Sequence, residues 1–280
     1  MMHRPKSGNK LLVDVLCYLI LIIVCVIFLL PIYWVVTTSL KLPIEIFELP
    51  PKWIFVPTLE NYIQLLKTVD FISCYVNSII VASSSTILSL ALGFPTAYAL
   101  ARFRIKRKED IAFWILSTRF TPAVAIAIPI FILFQHLRLL NTYPALILVH
   151  TLMNLPLAVW MLRGFIESIP PELEQAALVD GCSESQAILR ITIPLSLTGI
   201  IATGVLCFIF SWNEFLFALL LTGVETRTAA VMMYCFIGFS EIRWGQMCSA
   251  AVLVSIPVII FGILVRKYLI AGLTFGTIKG

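Results

Sequence analysis

Six runs of mostly apolar residues divide this chain, at roughly 13–36, 75–99, 111–134, 144–163, 198–222 and 246–267. A helix crosses the hydrocarbon core of a bilayer in about 20 residues, and each run is of that order. Inside lipid the backbone finds no water, so a helix, which bonds its own N–H and C=O groups, is the form such a run must take. Composition agrees: 60% of residues are hydrophobic and 12% charged, against about 25% charged in a soluble domain. The expected fold class is an all-α integral membrane protein with six transmembrane helices. Ser83, Ser84, Ser85 and Gly93 in the second run are small enough to let helices approach closely. Prolines 31, 95, 129, 156 and 257 lie in or near the runs, where they kink helices without forbidding them.

Basic residues orient the bundle. With the N-terminus inside, the inside segments carry thirteen Lys and Arg, including Arg4, Lys6, Lys10, Arg163, Arg190 and the cluster Arg102–Lys108, and the outside segments carry six. An excess of positive charge marks the cytoplasmic side, so both termini are expected there. The expected order is a cytoplasmic tail 1–12, a first helix 13–36, an extracytoplasmic loop 37–74, a transmembrane core 75–268 and a cytoplasmic tail 269–280. Within the core, 164–197 is a cytoplasmic loop. The basic N-terminus superficially resembles a signal peptide, but its apolar run exceeds the roughly 7–15 residues of such a segment and no small-residue cleavage site follows. It is read as an uncleaved helix. Trp53, Phe55 and Tyr62 suggest a segment at the interface, either as an aromatic belt or as a substrate contact.

Chemistry-bearing patterns are missing. There is no GxxxxGK[ST] phosphate loop, HExxH or GxSxG. His3, His136 and His150 are scattered, and the seven cysteines form no CxxC pair and read as small fillers of helix interfaces. Neither catalysis, a resident metal or cofactor, nor a nucleic-acid partner is expected.

The stretch 172–195, ELEQAALVDGCSESQAILRITIPL, is polar and orderly between two apolar runs. Pro170 and Pro171 suit a helix start, and Glu172 and Glu174 place negative charge in its first turn. A helix is expected over Pro171–Val179, ended by Gly181, since glycine tolerates the left-handed conformation of a helix stop. Ser183 and Gln186 form a capping-box pattern for a second helix that ends near Ile193, before Pro194. Ala176, Ala177 and Leu178 give the first helix a smooth face suited to a groove on a partner. The same residues also fit an amphipathic segment lying on the membrane with no partner.

Ionisable and polar groups inside spans are costly, so they point to function. Asn213 and Glu214 beside Trp212 lie in the fifth run, and Arg119 near Thr118, Thr121 and Pro122 in the third. Such groups suit a translocation path for a polar solute, with Trp212 as an aromatic face. Alternatively Glu214 and Arg119 pair to hold the bundle, or Arg119 snorkels to water.

The pattern Glu174, Ala176–Ala177, Gly181 and Ile193–Pro194 resembles the EAA loop of ABC importer permeases (EAA, three residues, G, about nine residues, I-x-L-P). Glu174 is taken as the first triplet residue and Gln175 as the second, and Ile193–Pro194 replaces Leu-Pro. The basic loop ALARFRIKRK (99–108), SWNEFLFALLLT (211–222) and GLTFGTIKG (272–280) resemble the carbohydrate-uptake subfamily, specifically the shorter permease of the maltose-type systems. The resemblance implies a type I importer permease in a bacterial or archaeal cell membrane. It implies assembly with a second homologous permease, a cytoplasmic ABC ATPase dimer and an extracytoplasmic solute-binding protein. ATP and Mg would be bound by the ATPase and no cofactor by this chain. The EAA loop would be the coupling helix docked in an ATPase cleft, with Glu174 paired to a basic group there, Gly181 as the turn, and Ala176, Ala177, Leu178, Asp180 and Pro194 in the docking element. The cargo would be a sugar or polyol. Two other classes compete: a secondary transporter, though no internal repeat is visible, and a membrane anchor that only recruits a cytosolic partner.

Overall fold

The computed structural model describes residues 7–68, 70–237 and 242–274. In chain order the helices are α1 (Ser7–Ser39), α2 (Pro43–Ile46), α3 (Glu60–Thr68), α4 (Phe71–Arg102), α5 (Lys108–Ser117), α6 (Ala123–His136), α7 (Tyr143–Glu167), α8 (Pro171–Val179), α9 (Glu184–Ala187), α10 (Ile193–Leu195), α11 (Leu197–Trp212), α12 (Leu216–Leu221), α13 (Ala229–Met232) and α14 (Trp244–Thr274). Thr118–Phe120 and Met233–Phe236 are short 3₁₀ turns, and Ile188–Thr192 is a π-turn. Among the described residues the only β feature is an isolated bridge between Ile237 and Ile242.

Four helical stretches are long and apolar enough to cross a membrane: Leu12–Ser39, Phe71–Arg102, Tyr143–Glu167 and Trp244–Val265. Two bent pairs qualify together, Lys108–Phe120 with Ala123–His136 at 88° and Glu184–Leu195 with Leu197–Trp212 at 72°. The third apolar run is therefore not the single helix expected. Thr121 and Pro122 are extended (ψ 124° and 123°), because a proline ring disfavours the helical conformation of the residue before it. The fifth run also breaks, at Asn213–Phe215. By contrast Pro31, Pro95, Pro129, Pro156 and Pro257 all sit inside continuous helices. The last helix runs on to Thr274, past the expected boundary at 268, and 275–280 of the expected tail lie outside the described residues. At the other end α1 begins at Ser7, inside the expected tail 1–12, of which 1–6 lie outside the described residues.

Contacts divide the chain into two compact units. One holds the residues up to 69 together with 236–253. Its α1 is exposed from Leu12 through Tyr33 and apolar nearly throughout, a surface that needs lipid or another protein around it. Beyond α1 the chain folds back on aromatic contacts. Lys41 is buried with its ammonium 5.1 Å from the rings of both Trp34 and Phe55. Trp53 packs on Tyr33 and Trp34, and Tyr62 Oη lies 2.9 Å from Ser39 Oγ.

The other unit holds 70–235 and 254 onward. Its centre is the packing of α4, α7 and α11. Small residues make that approach: a Cβ on Gly93 would lie 3.1 Å from Ala158 Cβ, and one on Gly199 would overlap Phe165. A buried polar chain crosses the same interface. Ser85 Oγ and Ser211 Oγ are 2.8 Å apart, and Asn154 Nδ2 donates to Ser211 Oγ (2.9 Å) and to the Cys207 carbonyl (3.1 Å). Arg163, the last residue of the expected fourth span, is a buried member of α7, which runs on to Glu167; it is bonded to Glu109 of α5 and to Glu167. Cys74, Cys207 and Cys248 are buried, while Cys17, Cys25 and Cys235 are exposed.

Gly199→Ala gains helix propensity of about 1 kcal/mol, yet the overlap with Phe165 should outweigh it, since overpacking costs roughly 1–3 kcal/mol. Thermal unfolding of detergent-purified protein should show a lower midpoint for Gly199→Ala and no lowering for Gly164→Ala, whose Cβ meets open space. Equal midpoints would show that α7 and α11 are not held at this distance.

Candidate functional site

The loop between α7 and α11 folds as two helices around a glycine turn. Helix α8 occupies Pro171–Val179, as its sequence predicts. At its end Gly181 takes φ +88°. Cys182 N–H bonds the Ala177 carbonyl (2.9 Å) and Gly181 N–H the Leu178 carbonyl (3.1 Å), the two bonds of a Schellman stop. Ser183 Oγ then accepts from Gln186 N–H (3.3 Å) while Gln186 Oε1 accepts from Ser183 N–H (2.9 Å), the reciprocal capping box.

The second helix departs from expectation. It does not end before Pro194 but passes through it to Leu195 by widening into the π-turn Ile188–Thr192. Ile193 N–H bonds back to the Ile188 carbonyl, one residue further than in an α-helix. Proline has no N–H and its ring clashes with the carbonyl four residues earlier, and the wider turn removes that conflict.

Glu174 is the largest correction. It is buried at 7% exposure, and its partner is not a basic group on another protein but Arg102 of this chain, Nε to Oε1 at 3.0 Å. Tyr98 Oη donates to Oε2 (3.0 Å) and Thr192 Oγ1 to Oε1 (2.8 Å), while Arg102 also donates to the Ile169 carbonyl (2.9 Å). A charge removed from water is tolerable only when paired and hydrogen-bonded in this way. The residue that faces outward is Gln175. Counting back from Gly181 by the motif's own spacing also makes Gln175 the first triplet residue, with Ala176 and Ala177 completing it. Around Gln175 the exposed face carries Ala176, Leu178, Val179 and Asp180, with Ala177 half-buried and Pro194 exposed at the far end. Sequence reasoning missed Tyr98, Arg102 and Thr192. A signal existed for the first two: they stand four apart on α4, hence on one face.

Inside the apolar region, two of the separate polar clusters come together. Arg119, His150, Met153, Asn154, Phe210, Ser211 and Glu214 line one open cavity of about 100 Å³. Arg119 donates to the Met153 carbonyl (2.6 Å), and its guanidinium lies 4.5 Å from the Phe210 ring. The Glu214 carboxylate accepts from the N–H groups of Phe217 (2.9 Å) and Ala218 (3.0 Å), and lies 3.3 Å from His150 Nε2. It thus caps α12 with a negative charge where the helix dipole favours one, which explains the break before Leu216. Among the described residues Arg119 and Glu214 form no ion pair with each other. Asn213 is exposed and bonds its own helix through the Ile209 carbonyl (2.8 Å). Trp212 corrects another expectation. Only 2% of it is exposed, stacked on Phe208, edge-on to Tyr75, with Nε1 bonded to the Val254 carbonyl (3.0 Å), so its ring is core packing and offers no face to a ligand. His150 and Asn154 were not anticipated; they too stand four apart on one helix. Among the described residues no group of His, Cys, Asp and Glu side chains could hold a metal ion.

The chain resembles known proteins. Residues 89–274 match the family described as binding-protein-dependent transport system inner membrane component. The chain is 40% identical to a probable ABC transporter permease protein, y4oR, of Sinorhizobium fredii, over 90% of this chain and 91% of that one. It is 35% identical to the sulfoquinovosyl glycerol transport system permease protein SmoH of Agrobacterium fabrum (89% and 88% covered) and 34% identical to the trehalose/maltose transport system permease protein MalG of Thermococcus litoralis (92% and 94%). Among solved structures, a chain of a bacterial ABC transporter for alginate import superposes with a TM-score of 0.79 at 23% identity, covering 95% of this chain and 99% of that one, a likeness of fold.

Removing Glu174 leaves the mostly enclosed Arg102 side chain, 12% exposed, without its counter-charge, a loss of up to about 3–5 kcal/mol, the range for breaking a fully buried pair. Thr192→Val removes one hydrogen bond, worth about 1 kcal/mol. Amide hydrogen exchange across 171–196 should therefore quicken strongly in Glu174→Ala and slightly in Thr192→Val. Unchanged exchange in Glu174→Ala would show that the buried carboxylate does not hold the loop.

Proposed function

The chain belongs to the family of binding-protein-dependent transport system inner membrane components, and from that premise we infer that it is the membrane-spanning permease subunit of an ATP-driven importer of a carbohydrate or related polyol. It works with a second permease, a separate ATPase that hydrolyses ATP, and an extracytoplasmic solute-binding protein. The relatives named for trehalose, maltose and sulfoquinovosyl glycerol support the carbohydrate class.

The observation that carries the coupling role is the two-helix loop around Gly181, capped at each junction and held to α4 through Glu174. A partner that grips the exposed face of Gln175, Ala176, Leu178, Val179 and Asp180 moves α4 and α11 as it moves the loop. Ala177 and Gly181 shape that face, and Pro194 marks where the second helix turns toward α11. Glu174 serves as the internal anchor. Both termini are assigned to the cytoplasm, which the excess of inside Lys and Arg supports. ATP and Mg belong to the ATPase.

Arg119 and Glu214, with His150 and Asn154, are proposed to border the translocation path, and Asn213 to face it. A cavity of about 100 Å³ is too small for a whole sugar, so this side of the path is completed by the second permease, whose packing also covers apolar α1.

Gly181→Pro, which cannot adopt φ +88°, should abolish uptake and substrate-stimulated ATP hydrolysis in the assembled transporter while the protein still reaches the membrane in normal amount. Full stimulated hydrolysis would refute the docking assignment. For the path, Asn213→Ala and Arg119→Ala should each lower uptake of the accepted sugar at least several-fold with the complex still assembled. Normal uptake by both would remove these residues from the path. Glu214→Ala should combine such a loss with weaker helix capping, worth about 1 kcal/mol.

A further inference from the structure

A second cavity, of about 190 Å³, lies in the unit formed by the start of the chain and 236–253, remote in sequence from both sites above. It is lined by the apolar Pro43, Ile46 and Phe47, by Arg243 and Trp244, and by the amides Asn61, Gln64 and Gln246. The amides are arranged with a definite polarity. An ionised carboxylate only accepts, so Glu60 takes the Gln64 amide N–H (2.9 Å). The Gln64 carbonyl in turn takes the Gln246 N–H (2.9 Å). This relay orients the Gln246 amide and leaves its Oε1, in a residue 8% exposed, buried without a donor. Asn61 donates through Nδ2 to the Ser39 and Lys41 carbonyls (3.1 and 2.7 Å), which ties this side of the cavity to the end of α1. It fits there because Gly245 has no side chain; a Cβ at 245 would overlap it.

The site thus offers an orphaned acceptor on Gln246, the arginine Arg243 among its lining residues, and Trp244, which is 40% exposed. A ligand matching all three carries hydroxyl groups beside a flat apolar face. We propose that this cavity is an extracytoplasmic subsite for one sugar ring, with Trp244 stacked on the ring and Gln246 and Arg243 bonded to its hydroxyls. Ligand sites for drug-sized molecules run to about 300–1,000 Å³, so this one takes a single ring or the end of a longer saccharide. The assignment rests on the reading of the chain as a carbohydrate importer whose 37–74 segment faces outward.

The test uses the complex of this chain with its second permease and ATPase, purified without the binding protein, and maltose and trehalose as probes in saturation-transfer NMR. Wild-type complex should give saturation transfer to one of them. Trp244→Ala should weaken apparent affinity about tenfold, Trp244→Phe by no more than about threefold, the loss expected of one aromatic contact. Gln246→Leu should weaken it comparably. Uptake of the same sugars, and of a wider labelled panel, is measured in parallel in cells. Uptake of maltose or trehalose without saturation transfer, or with transfer indifferent to Trp244→Ala, overturns the subsite and leaves the importer reading standing; the cavity then serves as a socket for the binding protein or as packing. Uptake confined to other members of the panel moves the same measurement to that sugar: transfer weakened by Trp244→Ala supports the subsite, and transfer absent or indifferent overturns it. Uptake of nothing in the panel overturns the importer reading and the subsite with it.

Discussion

A carboxylate withdrawn from water must have its charge answered, and the architecture of the loop between α7 and α11 follows from how Glu174 meets that requirement. Arg102 supplies the counter-charge from the last turn of α4, and Tyr98 and Thr192 supply hydroxyl donors from α4 and from the π-turn. These partners come from two separate stretches of chain. Satisfying one carboxylate therefore ties α8, the second loop helix and the end of α4 into one body. Breaking the pair is far more costly than breaking a surface ion pair, because the surviving charge stays buried. A loop so fastened transmits displacement. One held only by solvent-exposed contacts would absorb it.

The same rule governs the apolar interior, where unpaired backbone groups cost several kcal/mol each. The described helices break there at Thr121–Pro122 and at Asn213–Phe215, and both breaks flank the cavity lined by Arg119, His150 and Glu214. Irregular backbone inside a membrane is tolerated where it lines a cavity or is buried in protein. Glu214 shows the local remedy: its two oxygens accept the N–H groups that the restart of α12 exposes. A carboxylate that reads as a transport group from sequence is a helix cap in the structure.

Legibility differs with the range of the interactions involved. Helix α8, the turn at Gly181 and the Ser183–Gln186 box are readable to the residue, because caps and glycine stops act within five residues. Five prolines read from sequence as tolerated inside helices do sit there. The break at Pro122 escapes a sequence reading, although the extended preference of the residue before proline is local; the surrounding apolar run hides it. Trp212 misleads because its neighbours in sequence are polar, whereas in space its ring lies against Phe208 and Tyr75 and its one N–H is spent on the Val254 carbonyl. Glu174 misleads by one helical position. Adjacent residues on a helix point about 100° apart, so a one-residue shift of the triplet exchanges the buried anchor for the outward Gln175.

What the sequence determined by itself is whatever depends on local backbone preference and on bulk transfer to lipid: helical class, the apolar runs, the capped two-helix loop and the charge bias that orients it. These need no knowledge of which helix lies beside which. Only tertiary structure decided that Glu174 faces Arg102, that Arg119 and Glu214 share one cavity without pairing, and that Gln246 is left with an unmet acceptor. Side chains 70 or more residues apart meet through the packing of α4, α7 and α11, and that packing is set by the shapes of small residues such as Gly93 and Gly199. No periodicity along the chain encodes such a meeting, because the direction of a side chain on one helix is silent about the helix it will find opposite.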